Sequence, residues 1–510
     1  MDRTKNTLRN AIWGFVQKIV TILLPFTTRT LLIKMLGAEY LGISGLFTSV
    51  LSILSLAELG VSTAIVSSMY KPIAENDTDT ICALMAFYKK AYRIIGIVIL
   101  TVGLLITPFL PKIIKGDIPS DVNIYILYII YLGNTSVSYF LFAYKNCLFA
   151  AHQRNDRTTS VVVFVTLLQY LIQIVLLVTL RNYYCYTIVI PVCSILRNVF
   201  VAILANKEYP KYVCRGSLDK AVKTDLKKRV LGLMLGKITS TIRSSVDSIF
   251  VSMFLGLTAV AMYSNYMYIL TSVIGIIQLL ESSMVAGVGN SIATGTVEKN
   301  HRDFEKFTFM LQWAVGWCSI CILCLIQLFM NIWVGKEYMF NESMAFICAG
   351  YLFVFCISMI RSIYTQATGM WWQLKYLSII DLFVNIALNY FFVKYFGAYG
   401  IMFATIIDIV FVSIPWTTYY LFRDYFGMKL YRKYIFCYLK YFILAVVAGL
   451  PTYFICRIVN VDNNWLDLLI KCVICIAVPN VIYLLLLFKN KYFRDTIRFI
   501  KYSVLKRGKA

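Results

Sequence analysis

The sequence predicts an all-α polytopic membrane protein of about 14 transmembrane helices: two parallel, pseudo-symmetric six-helix bundles plus an extra helix pair. Three observations predict it. Of 510 residues, 60% are hydrophobic and 15% charged, with a mean hydropathy of +0.73, a composition outside the range of a soluble domain. Apolar runs of about 20 residues, long enough to cross ~30 Å of hydrocarbon as helix, recur along the whole chain. Finally, a register shift lays charged and glycine positions of the first half over those of the second.

The first run follows the basic stretch MDRTKNTLRN. It contains Lys18 and Arg29 and ends without a small-residue cleavage site, so it reads as a retained helix rather than a secretory signal. The amino-terminal lobe, 1–206, then holds spans at 11–36, 41–69, 86–110, 123–150, 159–180 and 186–206. A basic linker, 207–229, leads to a second lobe, 230–422, with spans at 230–255, 260–290, 304–330, 343–369, 375–395 and 400–422. The extra pair occupies 434–488, with spans at 434–457 and 467–488, before a basic tail at 489–510.

An even span count puts both termini on one side. The loops on that side carry 30 Lys and Arg and the alternate set six, so the positive-inside rule makes the termini cytoplasmic. The net charge of +24 therefore lies largely on one face, where anionic lipids attract polybasic segments and no nucleic acid is required. In the tail, Phe493, Ile497, Ile500 and Val504 recur at helical spacing among cations, the pattern of a helix lying in the interface.

Most of the 14 cysteines fall inside spans, which argues against a disulfide framework. Cys318, Cys321 and Cys324, and Cys472 with Cys475, have metal-like spacing. Inside apolar helices without histidine nearby they read as small packing residues, and no metal site is expected. His152 and His301 both fall in loops. GLMLGKIT, 232–239, has too few residues between its glycines for a P-loop and Ile238 where a hydroxyl should hold magnesium. Gly232 and Gly236 suit close helix approach instead. No cofactor is expected.

The stretch GKITSTIRSSVDSIFVSMFLG, 236–256, carries charge where a span should lie. At 100° per residue Lys237, Ser240, Thr241, Ser244, Ser248 and Ser252 share a face, with Arg243 and Asp247 on its border, four residues apart and able to pair. A cation at mid-bilayer costs about 2.5–3.5 kcal/mol, against about 0.3–0.6 gained per large apolar residue, so each charge cancels roughly six leucines. Such a face turns inward, to partners or water. The first span repeats the device: Lys18, Thr21, Pro25 and Arg29 share a face, Lys18 aligns with Lys237, and Leu36-Gly37 aligns with Leu255-Gly256. The same shift sets Asp79 opposite Glu298, and a slightly smaller one sets Gln169 and Gln173 over Asn385 and Asn389. Two six-helix repeats of the same orientation follow, a transporter-like plan.

Intramembrane charge marks functional candidates. Besides the cations named, the spans hold Glu58, Arg197, Glu281, Arg361, Asp381 and Asp408. Glu58 shares a face with Ser44, Ser55 and Ser62, and Asp381 with Ser378 and Asn385; pairs that hold helices in register are the structural alternative. Tyrosine and phenylalanine are too abundant to assign any to a site.

The segment RTLLIKMLGAEYLGISGLFTSVLSILSLAELGVSTAI, 29–65, with Leu36-Gly37, Glu39-Tyr40-Leu41-Gly42 and Glu58-Leu59-Gly60-Val61-Ser62, resembles the amino-terminal pattern of bacterial polysaccharide-biosynthesis flippases. These belong to the multidrug/oligosaccharidyl-lipid/polysaccharide (MOP) exporter superfamily, with a MATE-like fold. The resemblance implies alternating access in the bacterial cytoplasmic (inner) membrane, moving an undecaprenyl-diphosphate-linked oligosaccharide from inner to outer leaflet for O-antigen, capsule or exopolysaccharide. It further implies a cationic cavity between the lobes. A diphosphate is a dense anion whose desolvation Lys and Arg can offset, which makes Lys18, Arg29, Lys237, Arg243 and Arg361 the expected substrate contacts, Arg361 by depth alone. Glu58, Asp247, Glu281 and Asp381 are the candidates for H+ or Na+ coupling. Polysaccharide polymerase and glycosyltransferases are the expected protein partners. A multidrug or cation exporter of the same superfamily is one alternative, disfavoured by the basic faces and the extra pair. A membrane glycosyltransferase or polymerase is another, disfavoured by short external loops.

Overall fold

The computed structural model describes residues 3–58, 60–116 and 118–494. These form nineteen α-helices joined by short 3-10 and π turns, with no strand among the described residues. They are α1 (Arg3–Met35), α2 (Ala38–Leu54), α3 (Val61–Glu75), α4 (Thr78–Ile106), α5 (Leu110–Ile113), α6 (Ile124–Phe140), α7 (Asn146–Ala151), α8 (Asn155–Leu180) and α9 (Tyr183–Glu208). There follow α10 (Lys220–Leu255), α11 (Leu257–Thr294), α12 (Val297–Trp333), α13 (Ser343–Ile357), α14 (Met359–Ala367), α15 (Trp371–Phe396) and α16 (Ala398–Asp408). The last three are α17 (Ile414–Leu421), α18 (Tyr431–Ile458) and α19 (Asn464–Leu487).

Among the described residues, eleven helices are long and apolar enough to cross a membrane, and the pair α6 and α7, bent by 51°, makes a twelfth. The remaining two of the fourteen expected spans are of a different kind. The second is broken: α2 gives way to a 3-10 turn at Ser55–Glu58, and Gly60, at φ +94°, restarts the chain as α3. The seventh is α10, whose charges lower its mean hydropathy; it begins at Lys220, inside the expected linker. Pairs of helices at α13 and α14 and at α16 and α17 likewise each fill one expected span, the latter joined by a π turn at Ile409–Ser413.

The internal repeat is written into the helix boundaries. Moving 219 residues along, the same number that separates Lys18 from Lys237, α2 at Ala38 meets α11 at Leu257, Glu75 at the end of α3 meets Thr294 at the end of α11, and Thr78 at the start of α4 meets Val297 at the start of α12. The caps correspond too. Asp77 accepts from the Thr80 amide at 3.0 Å, and Thr296 accepts from the Lys299 amide at 3.3 Å. Both satisfy an otherwise orphaned amide of a first helical turn. Gly37 (φ +123°) and Gly256 (φ +92°) provide the matching positive-φ joints after the first and seventh spans. Later in the chain α8 matches α15 from end to end, three residues of shift having been lost between α6 and α7.

By contact density the chain divides into two units, Met1–Ser264 and Asn265–Ala510. Within the first unit α10 packs on α2 and α3. In the first unit α1 packs on α8, α8 on α9, and α6 on α4 and α9. Gly42 is needed there: a Cβ at that position would sit 2.1 Å from the carbonyl oxygen of Leu257. Of the neighbouring motif residues, Glu39 accepts from Thr258 at 2.9 Å across the same seam, while Tyr40 donates to Asp121 before α6 and its carbonyl accepts from the Tyr183 hydroxyl of α9 at 2.9 Å.

In the second unit α12 packs on α13, α18 and α19, and α15 on α16. An apolar seam built on Phe309, Ile320, Tyr441, Ala448, Tyr483 and Leu487 fastens the extra pair α18 and α19 to α12. Between membrane helices such a seam is held by close van der Waals packing rather than by transfer out of water. Phe493, expected in an interfacial helix, is instead buried against Phe309 and Trp313; Ile497, Ile500 and Val504 lie outside the described residues. His301, expected in a loop, belongs to the first turns of α12, since the Thr296 cap starts that helix early.

Candidate functional site

The best-defined polar site of the first unit is built around Glu58. The 3-10 turn that interrupts the second span leaves its carboxylate half-buried at the break. Tyr92 of α4 donates to it at 2.6 Å and Tyr139 of α6 at 2.5 Å, while Tyr88 donates to the Tyr92 hydroxyl at 2.6 Å. Charge-assisted hydrogen bonds of this length offset part of the cost of holding a carboxylate away from water. Glu58, Tyr92, Tyr139, Asn134, Ser194 and Arg197 line a cavity of about 240 Å³. Ser194 donates to Asn134 at 2.7 Å across it. An acid and a guanidinium thus share one polar cavity, and no ion pair within hydrogen-bonding range joins them among the described residues. The sequence points to Glu58 and Arg197 as intramembrane charges. It offers no signal for Tyr92 and Tyr139, which differ from the other tyrosines only in what the fold brings opposite them.

The basic face of α1 carries Lys18 and Arg29, both half-buried. Arg29 donates to the carbonyl and hydroxyl of Ser264 on α11, each at 3.4 Å, and lies within electrostatic reach of Tyr170 on α8 and Tyr186 on α9. Pro25 withholds one amide from the helix between the two cations. Thr21, Thr28 and Thr30 donate back to carbonyls of their own helix, at 2.9, 3.3 and 2.7 Å.

On α10, Arg243 is half-buried and Asp247 is buried, one turn further on. Tyr263 donates to Asp247 at 3.3 Å. Tyr263 and Ser264 are consecutive residues of α11, so the charged faces of α1 and α10 converge on one turn of that helix. The hydroxyl face of α10 runs from exposed Ser244 to fully buried Ser252. The side chains of Lys237 and Ser240 lie outside those described.

In the second unit Asp381 is half-buried on α15, in line with fully buried Asn385 and Asn389. Asn389 donates to Asn385 at 3.2 Å, and Asn385 donates to Thr405 of α16 at 3.3 Å. Asp408, one turn beyond Thr405, is 0% exposed. At the repeat-related positions of the first unit, Gln169 donates to Gln173 at 3.5 Å and Gln173 to the Tyr186 carbonyl of α9 at 3.2 Å. The amide stripe is therefore common to both repeats, and the second adds two carboxylates.

Arg361 and Glu281 stand apart from these groups. Glu281 is half-buried on α11, within electrostatic reach of Cys356 on α13. Arg361 of α14, expected to contact substrate, is 1% exposed. It donates to Thr418 of α17 at 3.2 Å and lies 5.2 Å from the centre of the Tyr438 ring of α18. A hydroxyl and an aromatic face thus flank the guanidinium, which links three helices and is buried from solvent in this structure.

The fold matches solved transporters over nearly their full length. The lipid II flippase MurJ in an inward closed conformation aligns with a TM-score of 0.67 at 16% identity, over 96% of this chain and 99% of that one. An inward-facing multidrug resistance MATE family transporter of the MOP superfamily gives 0.61 at 16% identity, over 85% and 99%. A MOP superfamily transporter from Pyrococcus furiosus, described as having a binding pocket of reversed polarity, gives 0.59 at 16% identity, over 82% and 95%. Comparison with curated proteins finds no match. The family model described as polysaccharide biosynthesis protein matches residues 7–288, more than half of the chain, and the protein belongs to that family, with the fold of the MOP superfamily.

Proposed function

We propose that the protein is a flippase that moves undecaprenyl-diphosphate-linked polysaccharide repeat units from the inner to the outer leaflet of a bacterial cytoplasmic membrane by alternating access. The observation that carries the reading is the set of half-buried cations, Lys18 and Arg29 on α1 and Arg243 on α10, in a chain of a polysaccharide-biosynthesis family. A diphosphate between lipid and sugar needs cations in a wet, partly desolvated cavity, where charge-assisted hydrogen bonds offset its lost hydration. Lys237 joins them on the sequence argument. Threonine and serine hydroxyls on the same faces would hold sugar weakly enough for release. The lipid tail can stay in the bilayer throughout.

Coupling to H+ or Na+ would use the carboxylates. Glu58 between two tyrosines suits a proton, and Asp381 and Asp408, on the two helices joined by the Asn385–Thr405 hydrogen bond, offer hard oxygen donors of the kind a sodium ion takes. Asp247 and Glu281 remain secondary candidates. The loop charge bias supports cytoplasmic termini, with anionic lipids against the basic loops. Polymerase and glycosyltransferases are the proposed partners on the two faces.

The multidrug-exporter reading is weaker because coverage of this chain falls from 96% with MurJ to 85% with the MATE transporter. The difference is close to the share of the chain that α18 and α19 occupy. The test is the leaflet distribution of radiolabelled lipid-diphosphate oligosaccharide in a strain lacking the gene, complemented with wild type, Lys237→Ala or Arg29→Ala at equal expression. Accumulation in the inner leaflet that only wild type relieves supports the flippase. A distribution unchanged by the deletion rejects it in favour of drug export.

A further inference from the structure

Three helices that are distant in sequence bring cysteines to one point. Cys321 and Cys324, three residues apart, share a face of α12. Cys456 comes from α18 and Cys475 from α19. The sulfurs of Cys324, Cys456 and Cys475 all lie within 4.8 Å of one another, with 3.9 Å between Cys456 and Cys475. Cys321, one turn before Cys324, lies outside this group of three but within interaction range of the Cys475 sulfur. Zn–S bonds of about 2.3 Å in a tetrahedron place sulfurs about 3.8 Å apart, so the ligand spacing is close to that of an assembled site.

The surroundings hold the cluster in place. Trp317, on the same helix as Cys321, donates its indole N–H to the Cys475 carbonyl at 2.8 Å. Trp313 donates to Asn480 of α19 at 3.0 Å. Lys471 and Asp467, paired at 2.6 Å, both lie within electrostatic reach of the Cys456 sulfur and act on it in opposite senses. Soft thiolates in a site with no imidazole or carboxylate ligand select thiophilic ions over magnesium or calcium.

We propose that Cys324, Cys456 and Cys475, with Cys321 as fourth ligand, bind one thiophilic d10 cation, Zn2+ or Cu+, that clips the extra pair α18 and α19 to α12. Each thiol that ligates gives up its proton to solvent as its sulfur bonds the ion, so binding four as thiolates to Zn2+ releases four protons and leaves two net negative charges. No oxidant is involved. Nothing in the flippase reading requires the site, and the two stand or fall separately.

The test uses full-length protein in detergent, purified under reducing conditions. Bound metal is measured by mass spectrometry, and Zn2+, Cd2+ and Cu+ are titrated separately, with Cd2+ read by its ultraviolet thiolate charge-transfer band. Wild type and the control Cys318→Ser/Cys472→Ser should each bind about one ion per chain, while Cys324→Ser/Cys456→Ser should bind about tenfold more weakly or not at all. Zn2+ and Cu+ arms identify the ion. Failure of wild type to bind any of the three overturns the proposal, as does equal binding by the cluster variant. A Cys456–Cys475 disulfide found by peptide mapping after alkylation of non-reduced protein overturns it too. Should the cluster variant not fold, wild-type stoichiometry together with a chelator-induced fall in melting temperature decides.

Discussion

Tyr139 donates a 2.5 Å hydrogen bond to the carboxylate of Glu58, across 81 residues of sequence. With Tyr92 at 2.6 Å it makes the acid a fixed acceptor at the point where the second span breaks. If Glu58 couples transport to an ion, Glu58→Gln should remove the dependence on the ion gradient while the protein still folds. Tyr139→Phe should keep that dependence and cost stability, about 1.5–3 kcal/mol for a bond to a charged group. Transport assays in vesicles with and without an imposed gradient decide. A wild-type gradient response in the Glu58→Gln variant would remove Glu58 from the coupling scheme.

The seam at Gly42 makes a sharper structural prediction. A methyl group there meets the Leu257 carbonyl oxygen at 2.1 Å, backbone against backbone, so neither side can rotate away. Gly42→Ala should lower stability by more than about 3 kcal/mol, the upper end of ordinary overpacking. Gly14→Ala on α1, with open space around the new methyl, should be neutral or gain about 0.5–1 kcal/mol. Detergent melting curves compare the two. Equal melting temperatures would mean that α2 and α11 do not approach as described.

Arg29 and Arg361 separate a transport role from a structural one. Arg361 is enclosed by Thr418 and Tyr438, and Arg361→Ala would leave Thr418 without its charged partner and open a void. A loss of about 3–5 kcal/mol is expected, with low yield of folded protein. Arg29 is half-buried with solvent access, bonded at 3.4 Å to Ser264. Arg29→Ala should leave the melting temperature within a few degrees of wild type and reduce flipping at least about tenfold, the effect of losing one charge-assisted phosphate contact. If instead Arg29→Ala unfolds the protein and Arg361→Ala transports normally, the roles are reversed.

The sequence carries the fold more fully than the site because the fold rests on local signals. Apolar runs, the Asp77 and Thr296 caps and the Gly37 and Gly256 joints are each written within a few residues, and the repeat doubles every one of them. The broken span at Ser55–Glu58 is less legible, since its apolar composition is continuous and only Gly60 marks the restart. Site residues divide in the same way. Glu58 and Arg29 are visible because charge in a span is rare, whereas Tyr92 and Tyr139 act only through a partner that tertiary structure supplies. Arg361 shows the limit of depth as a criterion, because position along a helix does not say what surrounds the side chain. Cys456 is the same lesson in reverse: nineteen residues from Cys437, its nearest cysteine on that helix, it has no metal-like spacing to read, and α18 carries it to Cys475.

The paired caps predict an asymmetric response to acid. The Thr80 hydroxyl, and then the Thr80 amide, hold the Asp77 carboxyl below its ordinary value of 3.8. A carboxylate whose folded value is depressed stabilises the folded state above its unfolded value, and the contribution disappears as pH falls through the folded value. Thr296 caps α12 at the equivalent position without titrating. Wild type should therefore lose more protection at the first turn of α4 on acidification than at the first turn of α12, where the cap does not titrate and the matching carboxylates Asp79 and Glu298 are common to both. Asp77→Asn, which keeps an acceptor oxygen, should flatten the pH dependence at α4, and Asp77→Ala should lower protection at every pH. Hydrogen exchange followed by mass spectrometry between about pH 6 and pH 3, corrected for intrinsic rates and compared with each variant, reads both helices in one experiment. An acid-labile α4 that Asp77→Asn leaves unchanged would place the sensitive group elsewhere.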